Sequence, residues 1–221
     1  MALLDAGEVL AEHDEPSRNH SRTLLPAIDR LLGRRGLGPA DLEAVAVGIG
    51  PGSFTGVRVG LALAKTIAFG LGLPLAGVST LRALANNARV SGRAAAGVRV
   101  CPVLDALKAE VYCTGYRQGP HGLEAIEEEA ARDPRTWAEH LAAGDGDCLL
   151  LGTGAQRYRE VFAEVLGDRA AIPADEGVHR VRAAGVGALA MERLQRGVHD
   201  DPRTLEPNYC RLSEAELARA T

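Results

Sequence analysis

The sequence predicts an α/β fold made of two domains. Each half of the 221-residue chain opens with short apolar segments and continues with helical and strand-like segments in turn. This order is typical of folds in which helices cover a sheet. A stretch of small residues at 91–97 separates the halves. We therefore expect an N-terminal domain over 1–92 and a C-terminal domain over 97–221.

The first half begins with a predicted β-hairpin. Two short apolar segments, 2–4 and 8–13, flank an Asp-Ala-Gly turn, and Asp and Gly are residues that favour turns. A helix is expected over 20–35, because leucines and Ile28 recur at helical spacing before two glycines end the pattern. The remaining predicted elements of this half are strands at 43–49 and 75–78 and helices at 53–71 and 80–89.

The second half begins with strand-like segments and then alternates helices and strands. One helix start is well marked, since Asp133 stands at a capping position and Pro134 at the first helical position. The predicted strands lie at 98–104, 111–117, 123–127, 148–151 and 170–172. The predicted helices lie at 134–143, 155–166 and 181–196.

Composition and charge indicate an ordinary globular protein. Hydrophobic residues make up 46% of the chain, charged residues 24%, and the formal net charge is −4. Affinity for nucleic acid comes mainly from Lys and Arg that neutralise phosphates, and this chain has no excess of them. If the function involves RNA, we expect a partner protein to hold it. The longest apolar helix carries Arg58 and Lys65, which argues against a membrane span. The four cysteines form no CxxC pair and we see no secretory signal, so we expect reduced thiols and a cytoplasmic location.

A glycine-rich loop, GIGPGSFTGVRVG at 48–60, joins a predicted strand to a predicted helix. Such a turn can offer free N–H groups to a phosphate. Both nucleotide signatures are incomplete, however. Gly56 is followed by valine and arginine rather than the Lys and Ser or Thr of a P-loop, and the GxGxxG frame that starts at Gly48 ends on Ser53. The loop alone is weak support for a nucleotide site.

Small residues recur every four positions through the following helix, at Gly56, Gly60, Ala64, Ala68 and Gly72. Glycine inside a helix costs roughly 1 kcal/mol relative to alanine, so its presence needs a reason. A face of small residues lets another backbone approach closely. Two interpretations stay open: this face packs against its own sheet, or it packs against a helix of another molecule.

The segment GIGPGSFTGVRVGLALAKTIAFGLGLPLAGVSTL resembles the signature of the TsaB family, a subunit of the bacterial machinery that makes threonylcarbamoyladenosine on tRNA. NHSRTLLPAIDRLL resembles the family's first helix, and LEPNYCRLSEAE its C-terminal segment. VLDALKAEVYCTGYR resembles the opening of its second half, which is usually closer to DARxGEVY. The resemblance implies two ribonuclease-H-like subdomains, as in the actin and Hsp70 ATPases.

The resemblance also implies a pseudo-enzyme, a relative of the catalytic subunit TsaD that has lost the chemistry. TsaD-like proteins hold a metal with two histidines four residues apart. The matching positions here are Thr80 and Leu84, which cannot replace imidazole ligands. The six histidines show no HxxxH or HExxH spacing. We therefore expect no catalytic, cofactor-binding or metal-binding residues, and a loop that serves to start a docking helix.

In the family, the first two helices pair TsaB with TsaD, or with another TsaB when TsaD is absent. On this chain they correspond to 20–35 and 53–71, and a homodimer is expected for the chain alone. A TsaE-like ATPase is a further expected partner, tRNA is contacted only through the complex, and no membrane is involved. The expected partner-binding residues are His20, Leu24, Ile28, Leu31, Gly56, Val57, Gly60 and Ala64.

The chain departs from the family pattern at its start. Family members begin with a strand and an Asp-Thr-type turn roughly a dozen residues before the position of Ala2. The first subdomain would thus lack its usual N-terminal strand. Two explanations are open: the start codon is assigned too late, which we favour, or the protein tolerates an open sheet edge.

An enzymatic function of the same fold is the rival hypothesis. A metallopeptidase or a small-molecule kinase would need a base near a nucleophile or carboxylates at phosphate loops. The sequence places no histidine beside Ser53, and Asp105 is the one acid at a comparable strand end. We interpret Asp105 as a turn residue before Lys108.

Overall fold

The computed structural model describes residues 1–14, 20–120 and 122–211, and in the first helix it describes side chains from residue 23 onward. The strands are β1 (Ala2–Asp5), β2 (Glu8–Glu12), β3 (Val45–Gly50), β4 (Leu75–Ser79), β5 (Arg99–Asp105), β6 (Val111–Cys113), β7 (Tyr116–Gly119), β8 (Gly122–Ala125), β9 (Ala130–Arg132), β10 (Cys148–Leu151) and β11 (Ala170–Ala171). The helices are α1 (His20–Gly33), α2 (Phe54–Leu71), α3 (Thr80–Val90), α4 (Pro134–Ala143), α5 (Thr153–Arg157), α6 (Arg159–Leu166) and α7 (Ala183–Gln195). The predicted α/β class is confirmed.

Contacts divide the chain into two compact units. Among the described residues, unit 1 lies within Met1–Thr80 and Arg182–Asn208, and unit 2 within Leu81–Val181 and 209–211. This division differs from the predicted domains 1–92 and 97–221 in two places. Helix α3 belongs to unit 2, and helix α7 returns to unit 1.

Packing explains both differences. The buried face of α3, with Leu84, Ala85 and Ala88, lies in one apolar cluster with Val100 and Leu151 of the second sheet. Helix α7 contacts β1, β3 and β4 of unit 1. Sequence order alone suggests a boundary at the small-residue stretch, whereas burial of apolar faces decides where each helix packs.

Unit 1 contains two separate pairs of strands. β1 and β2 form the predicted antiparallel hairpin, while β3 and β4 pair in parallel, with Val45 opposite Leu75 and Gly48 opposite Val78. Within the described ranges no strand pairing joins the hairpin to the β3–β4 pair. Among the described residues, the edge of β3 away from β4 therefore has no strand partner.

The core of unit 1 lies between its helices and the β3–β4 pair. Val47, Leu61, Ala64, Ala68 and Leu75 are buried together. Helix α7 comes close to the hairpin, since a Cβ at Gly187 would lie 2.7 Å from the Leu4 side chain. A larger residue at this position would push the helix away from β1.

The outer edge of β4 is closed by a polar pair instead of a strand. The backbone N–H of Asp200 donates to Leu75 O at 2.7 Å, and the Asp200 carboxylate accepts from the Gly77 N–H at 2.7 Å. Arg193 donates to Gly77 O and pairs with Asp200 at 3.0 Å. Asp200 and Arg193 thus hydrogen-bond the β4 backbone groups that would otherwise pair with a neighbouring strand. This blocks edge-to-edge pairing with another molecule.

Unit 2 contains a mixed sheet of seven strands. The strand order is β11-β10-β5-β6-β9, and β7 pairs with both β5 and β8. β5, β10 and β11 run parallel, whereas β6, β7, β8 and β9 pair antiparallel. Trp137, Leu141 and Phe162 from α4 and α6 are fully buried against this sheet. The N-cap predicted at Asp133 is confirmed, since its carboxylate accepts from the N–H groups of residues 135 and 136.

Three local predictions in unit 2 were wrong. The single strand expected at 111–117 is split into β6 and β7 at Thr114 and Gly115, which bond instead to the 126–127 segment. The helix expected at 155–166 breaks at Tyr158, where α5 ends and α6 begins. The short strand β9 was not predicted, because three residues carry too little alternation to be recognised.

Candidate partner-binding site

Helix α2 emerges from the glycine-rich loop with most of its surface uncovered. Ser53 caps its start, and the Ser53 hydroxyl oxygen accepts from the Gly56 N–H at 3.3 Å. Only Leu61, Ala64 and Ala68 of its 18 residues are buried. The others are exposed or half-buried, although the helix is strongly apolar. Apolar helix faces of this length are normally covered, so α2 is the leading candidate for a binding surface.

One part of the small-residue face of α2 packs inside unit 1, and the other part is open to a partner. Ala64 and Ala68 are 7% and 1% exposed and belong to the core of unit 1. Gly60 is half-buried, and a Cβ there would meet nothing within 4 Å. Gly56 and Val57 are also half-buried. The face is therefore internal in its second half and open in its first half, and Ala64 is a core residue rather than a surface residue as we had expected.

Helix α1 contacts α2, and it also has both buried and exposed leucines. Leu31 is 6% exposed and Leu32 4%, so both are core residues, and the expectation that Leu31 is available to a partner was wrong. Leu24 and Ile28 are half-buried, and Leu25 is 55% exposed. His20 begins the helix, but its side chain lies outside the described part of the chain.

Sequence reasoning missed the exposed aromatic residues of α2. Phe54 is 40% exposed and Phe69 66% exposed, at opposite ends of the helix. The Arg58 guanidinium lies 3.7 Å from the centre of the Phe54 ring, and that of Arg203 lies 5.8 Å from the Phe69 ring. Helical spacing could have indicated this, because most exposed residues of α2 share one stripe away from the buried Leu61 and Ala68. The stripe consists of Thr55, Arg58, Ala62, Thr66 and Phe69, and Phe54, Gly70 and Leu71 are exposed at the helix ends.

The glycine-rich loop is crossed by the chain's own backbone. Gly50 has a φ of +103°, and a Cβ there would lie 3.0 Å from the carbonyl oxygen of Asn208. The N–H of Asn208 donates to Ile49 O at 2.7 Å. The turn requires glycine because of this left-handed conformation and this close approach. Both features serve internal packing of unit 1.

Asp105, the acid considered for an enzymatic role, has a structural partner. Asp105 is bonded to Arg157 Nη1 at 2.7 Å, and this hydrogen bond raises the pKa of the Arg157 guanidinium. Leu84, which we expected to match one of the TsaD-like histidines, is fully buried in the core of unit 2. Across the described ranges, no group of three or more His, Cys, Asp or Glu residues is placed to hold a metal ion.

The length and composition of α2 would also allow a membrane span. Among the described residues it is the single helix of that kind. Its internal contacts are those of a helix packed on a globular unit, since Lys65 Nζ donates to Leu205 O at 3.0 Å and Ala68 is in the core. An apolar, partly uncovered helix of this kind also suits contact with another protein.

Comparison with known proteins agrees with this architecture. The model of the TsaD family, described as tRNA N6-adenosine threonylcarbamoyltransferase, matches residues 13–219. A protein of Bacillus subtilis named tRNA threonylcarbamoyladenosine biosynthesis protein TsaB is 36% identical over 98% of this chain and 90% of its own length. The protein of the same name from Escherichia coli is 36% identical over 74% of this chain and 70% of its own.

Solved structures give the same result. A Pseudomonas aeruginosa protein described as similar to the peptidase YeaZ superimposes with a TM-score of 0.77 and 30% identity, covering 95% of this chain and 93% of its own. A structure titled YeaZ from the same organism superimposes with a TM-score of 0.74. The fold and the family-model match therefore define a protein of the TsaD-like class. Within that class, the chain belongs to the TsaB family.

Proposed function

We propose that this chain works in tRNA threonylcarbamoyladenosine biosynthesis as a non-catalytic subunit that binds a TsaD-like catalytic subunit. The observation that carries the proposal is α2, an apolar helix of 18 residues of which three are buried, in a chain of the TsaB family. An uncovered apolar helix loses stability in water and gains it when a partner covers it. The relatives' names assign them to this biosynthesis.

The proposed contact surface is the exposed side of α1 and α2. Its exposed apolar residues are Leu25, Phe54 and Phe69, while Gly60 is half-buried on another face of α2 and leaves room for a close approach there. Fully burying one leucine or phenylalanine side chain contributes roughly 1.5–3 kcal/mol. Aromatic and arginine residues dominate binding energy at protein interfaces, which favours Phe54 together with Arg58. We assign the half-buried residues Leu24, Ile28, Gly56 and Val57 to the same surface, together with His20.

Further partners follow from the same proposal. The chain alone forms a homodimer through this surface, since the surface is uncovered whenever TsaD is absent. A TsaE-like ATPase joins the complex, and tRNA is held by the other subunits because the net charge of −4 gives this chain no general affinity for phosphates. We place the protein in the cytoplasm, without membrane contact.

The rival enzymatic hypothesis has less support. A kinase needs an unpaired carboxylate near the transferred phosphate, whereas Asp105 is paired with Arg157. A metallopeptidase needs a cluster of metal ligands, and the described residues contain no such group. These observations favour a binding role over a catalytic one.

Reconstitution of the modification tests the proposal. The chain is added to or left out of a mixture of TsaD-, TsaE- and TsaC-like proteins with tRNA, ATP, bicarbonate and threonine, and modified adenosine is measured by mass spectrometry. We expect modification only when the chain is present, and none from the chain by itself. Equal modification in its absence would rule the proposal out.

A further inference from the structure

A cavity of about 420 Å³ opens in unit 2 at the amino end of β5. Arg99 of β5, Arg117 of β7 and Glu127, which follows β8, line one part of it, and His140 and Gly144 at the end of α4 line the other. Sites for small molecules typically have volumes of roughly 300–1,000 Å³. The cavity is therefore large enough for a small ligand.

Arg99 is a buried cation with donor capacity left over. It is 4% exposed, and its Nη2 donates to Asp145 O at 2.9 Å. Its Nη1 lies 4.0 Å from a Glu127 oxygen, and its Nε has no hydrogen-bond partner among the described residues. A guanidinium carries five N–H donors, and a buried charge is stable only when they are bonded. Arg99 therefore needs further acceptors at this place.

The end of α4 is built around this arginine. A Cβ at Gly144 would lie 2.3 Å from Arg99 Nη2, so a larger residue cannot stand there without displacing the guanidinium. A second arginine, Arg169, donates to the carbonyl oxygens of Ala142, Gly144 and Gly146. These three carbonyl oxygens, one in α4 and two in the segment after it, are thus bonded to Arg169 and do not use the remaining donors of Arg99.

The charges that line the cavity favour an anion. Arg99 and Arg117 are positive and Glu127 is negative, which leaves an excess of one positive charge when His140 is neutral. Glu127 also lies 3.1 Å from His140 Nε2. We propose that this cavity binds the oxyanion group of a small molecule, a carboxylate or a phosphate, between Arg99 and Arg117. Both groups match the planar donor fork of arginine.

Isothermal titration calorimetry of the full chain tests this site. Sodium phosphate and sodium acetate are titrated separately at pH 7, with ionic strength held constant by sodium chloride. We expect saturable binding of at least one anion, and the tighter one identifies the ligand class. Arg117→Ala should weaken binding about tenfold, because one charged hydrogen bond is lost. Arg135→Ala, an exposed arginine of α4 that pairs with Glu164, is the matched control and should bind like the wild type.

Glu127→Gln gives a test of opposite sign. It removes the negative charge that competes with the ligand, so the anion should bind more tightly than to the wild type. Weaker binding in this variant would contradict the charge argument. Absence of saturable binding for both anions, or unchanged binding in Arg117→Ala, would overturn the site itself and would mean that water alone occupies the cavity.

Discussion

Arg157 Nη1 donates a 2.7 Å hydrogen bond to Asp105 Oδ2 at the end of β5. The other oxygen of the same carboxylate accepts from the Leu107 N–H at 3.1 Å. Asp105 thus closes a turn and binds an arginine within its own unit. This is the acid on which a kinase interpretation would depend, and both of its oxygens are already bonded.

The first prediction concerns that pair. Asp105→Asn should leave modification by the reconstituted complex within about twofold of the wild type, because the proposed role gives this carboxylate no part in the chemistry. Arg157→Gln, the matched control that releases the carboxylate, should create no ATP hydrolysis. Magnesium-dependent ATP turnover by the purified wild type, abolished in Asp105→Asn, would restore the enzymatic hypothesis.

A pair of leucines in α1 separates packing from binding. Leu31→Ala should lower the free energy of unfolding by roughly 2–5 kcal/mol, since Leu31 is a core residue. Leu25→Ala, on the exposed side of the same helix, should change it by no more than about 0.5 kcal/mol. Urea unfolding of both variants measures this. Equal destabilisation of the two would show that Leu25 is also internal.

The sequence predicts most of the regular elements, because they depend on local patterns. The hairpin, the cap at Asp133 and the long helix after the glycine-rich loop all follow from turn residues, capping residues and apolar spacing. Which face of α1 and α2 is buried depends on contacts between distant segments. The broad leucine stripe of α1 predicts that some of its leucines are buried. Only the folded structure shows that Leu31 is buried and Leu25 is exposed.

The cavity and the unit boundary could not be predicted for the same reason. Arg99 sits among apolar residues of β5, and in the sequence it resembles any surface arginine at a strand start. Its burial depends on Gly144 and Glu127, which lie far along the chain. The return of α7 to unit 1 likewise depends on the close approach of Gly187 to Leu4.

A strained turn between β5 and β6 gives the third prediction. Ala109 has a φ of +59°, a left-handed conformation that costs a non-glycine residue about 1–2 kcal/mol. Ala109→Gly should therefore raise the stability by about 1 kcal/mol, after the larger entropy of unfolded glycine is subtracted. Ala163→Gly is the control, because it makes the same substitution at an exposed position of helix α6. It should lower the free energy of unfolding by about 1 kcal/mol. Thermal unfolding that shows the same sign for both would contradict the turn geometry.

The Arg193–Asp200 pair predicts a dependence of stability on pH. Burial alone would raise the pKa of Asp200, but hydrogen bonds from Arg193 and from the Gly77 N–H outweigh burial and lower it. A carboxyl with a lowered folded-state pKa stabilises the fold above its unfolded pKa of about 3.9, and this contribution is lost as the pH falls through the folded value.

Asp200→Asn tests that dependence. The variant should be less stable than the wild type at pH 7, and the difference should shrink as the pH is lowered toward 3. Melting temperatures of both proteins at several pH values measure it. A difference that stays constant with pH would mean that the charge of Asp200 contributes nothing.

Binding of the TsaD-like subunit to variants of α2 tests the proposed surface. Gly60→Leu should fold normally, because a Cβ at this position meets nothing within 4 Å and leucine favours the helix. Ala163→Leu adds the same side chain to an exposed position of α6 and serves as the control. Leu25→Asp places a charge on the exposed side of α1 and provides a second, independent variant.

Calorimetric titration of the TsaD-like subunit with each folded variant is the most direct measurement. We expect Gly60→Leu and Leu25→Asp to weaken binding at least tenfold, equivalent to about 1.4 kcal/mol, and Ala163→Leu to bind like the wild type. Wild-type affinity in both Gly60→Leu and Leu25→Asp, with their folds intact by circular dichroism, would contradict a docking role for α1 and α2.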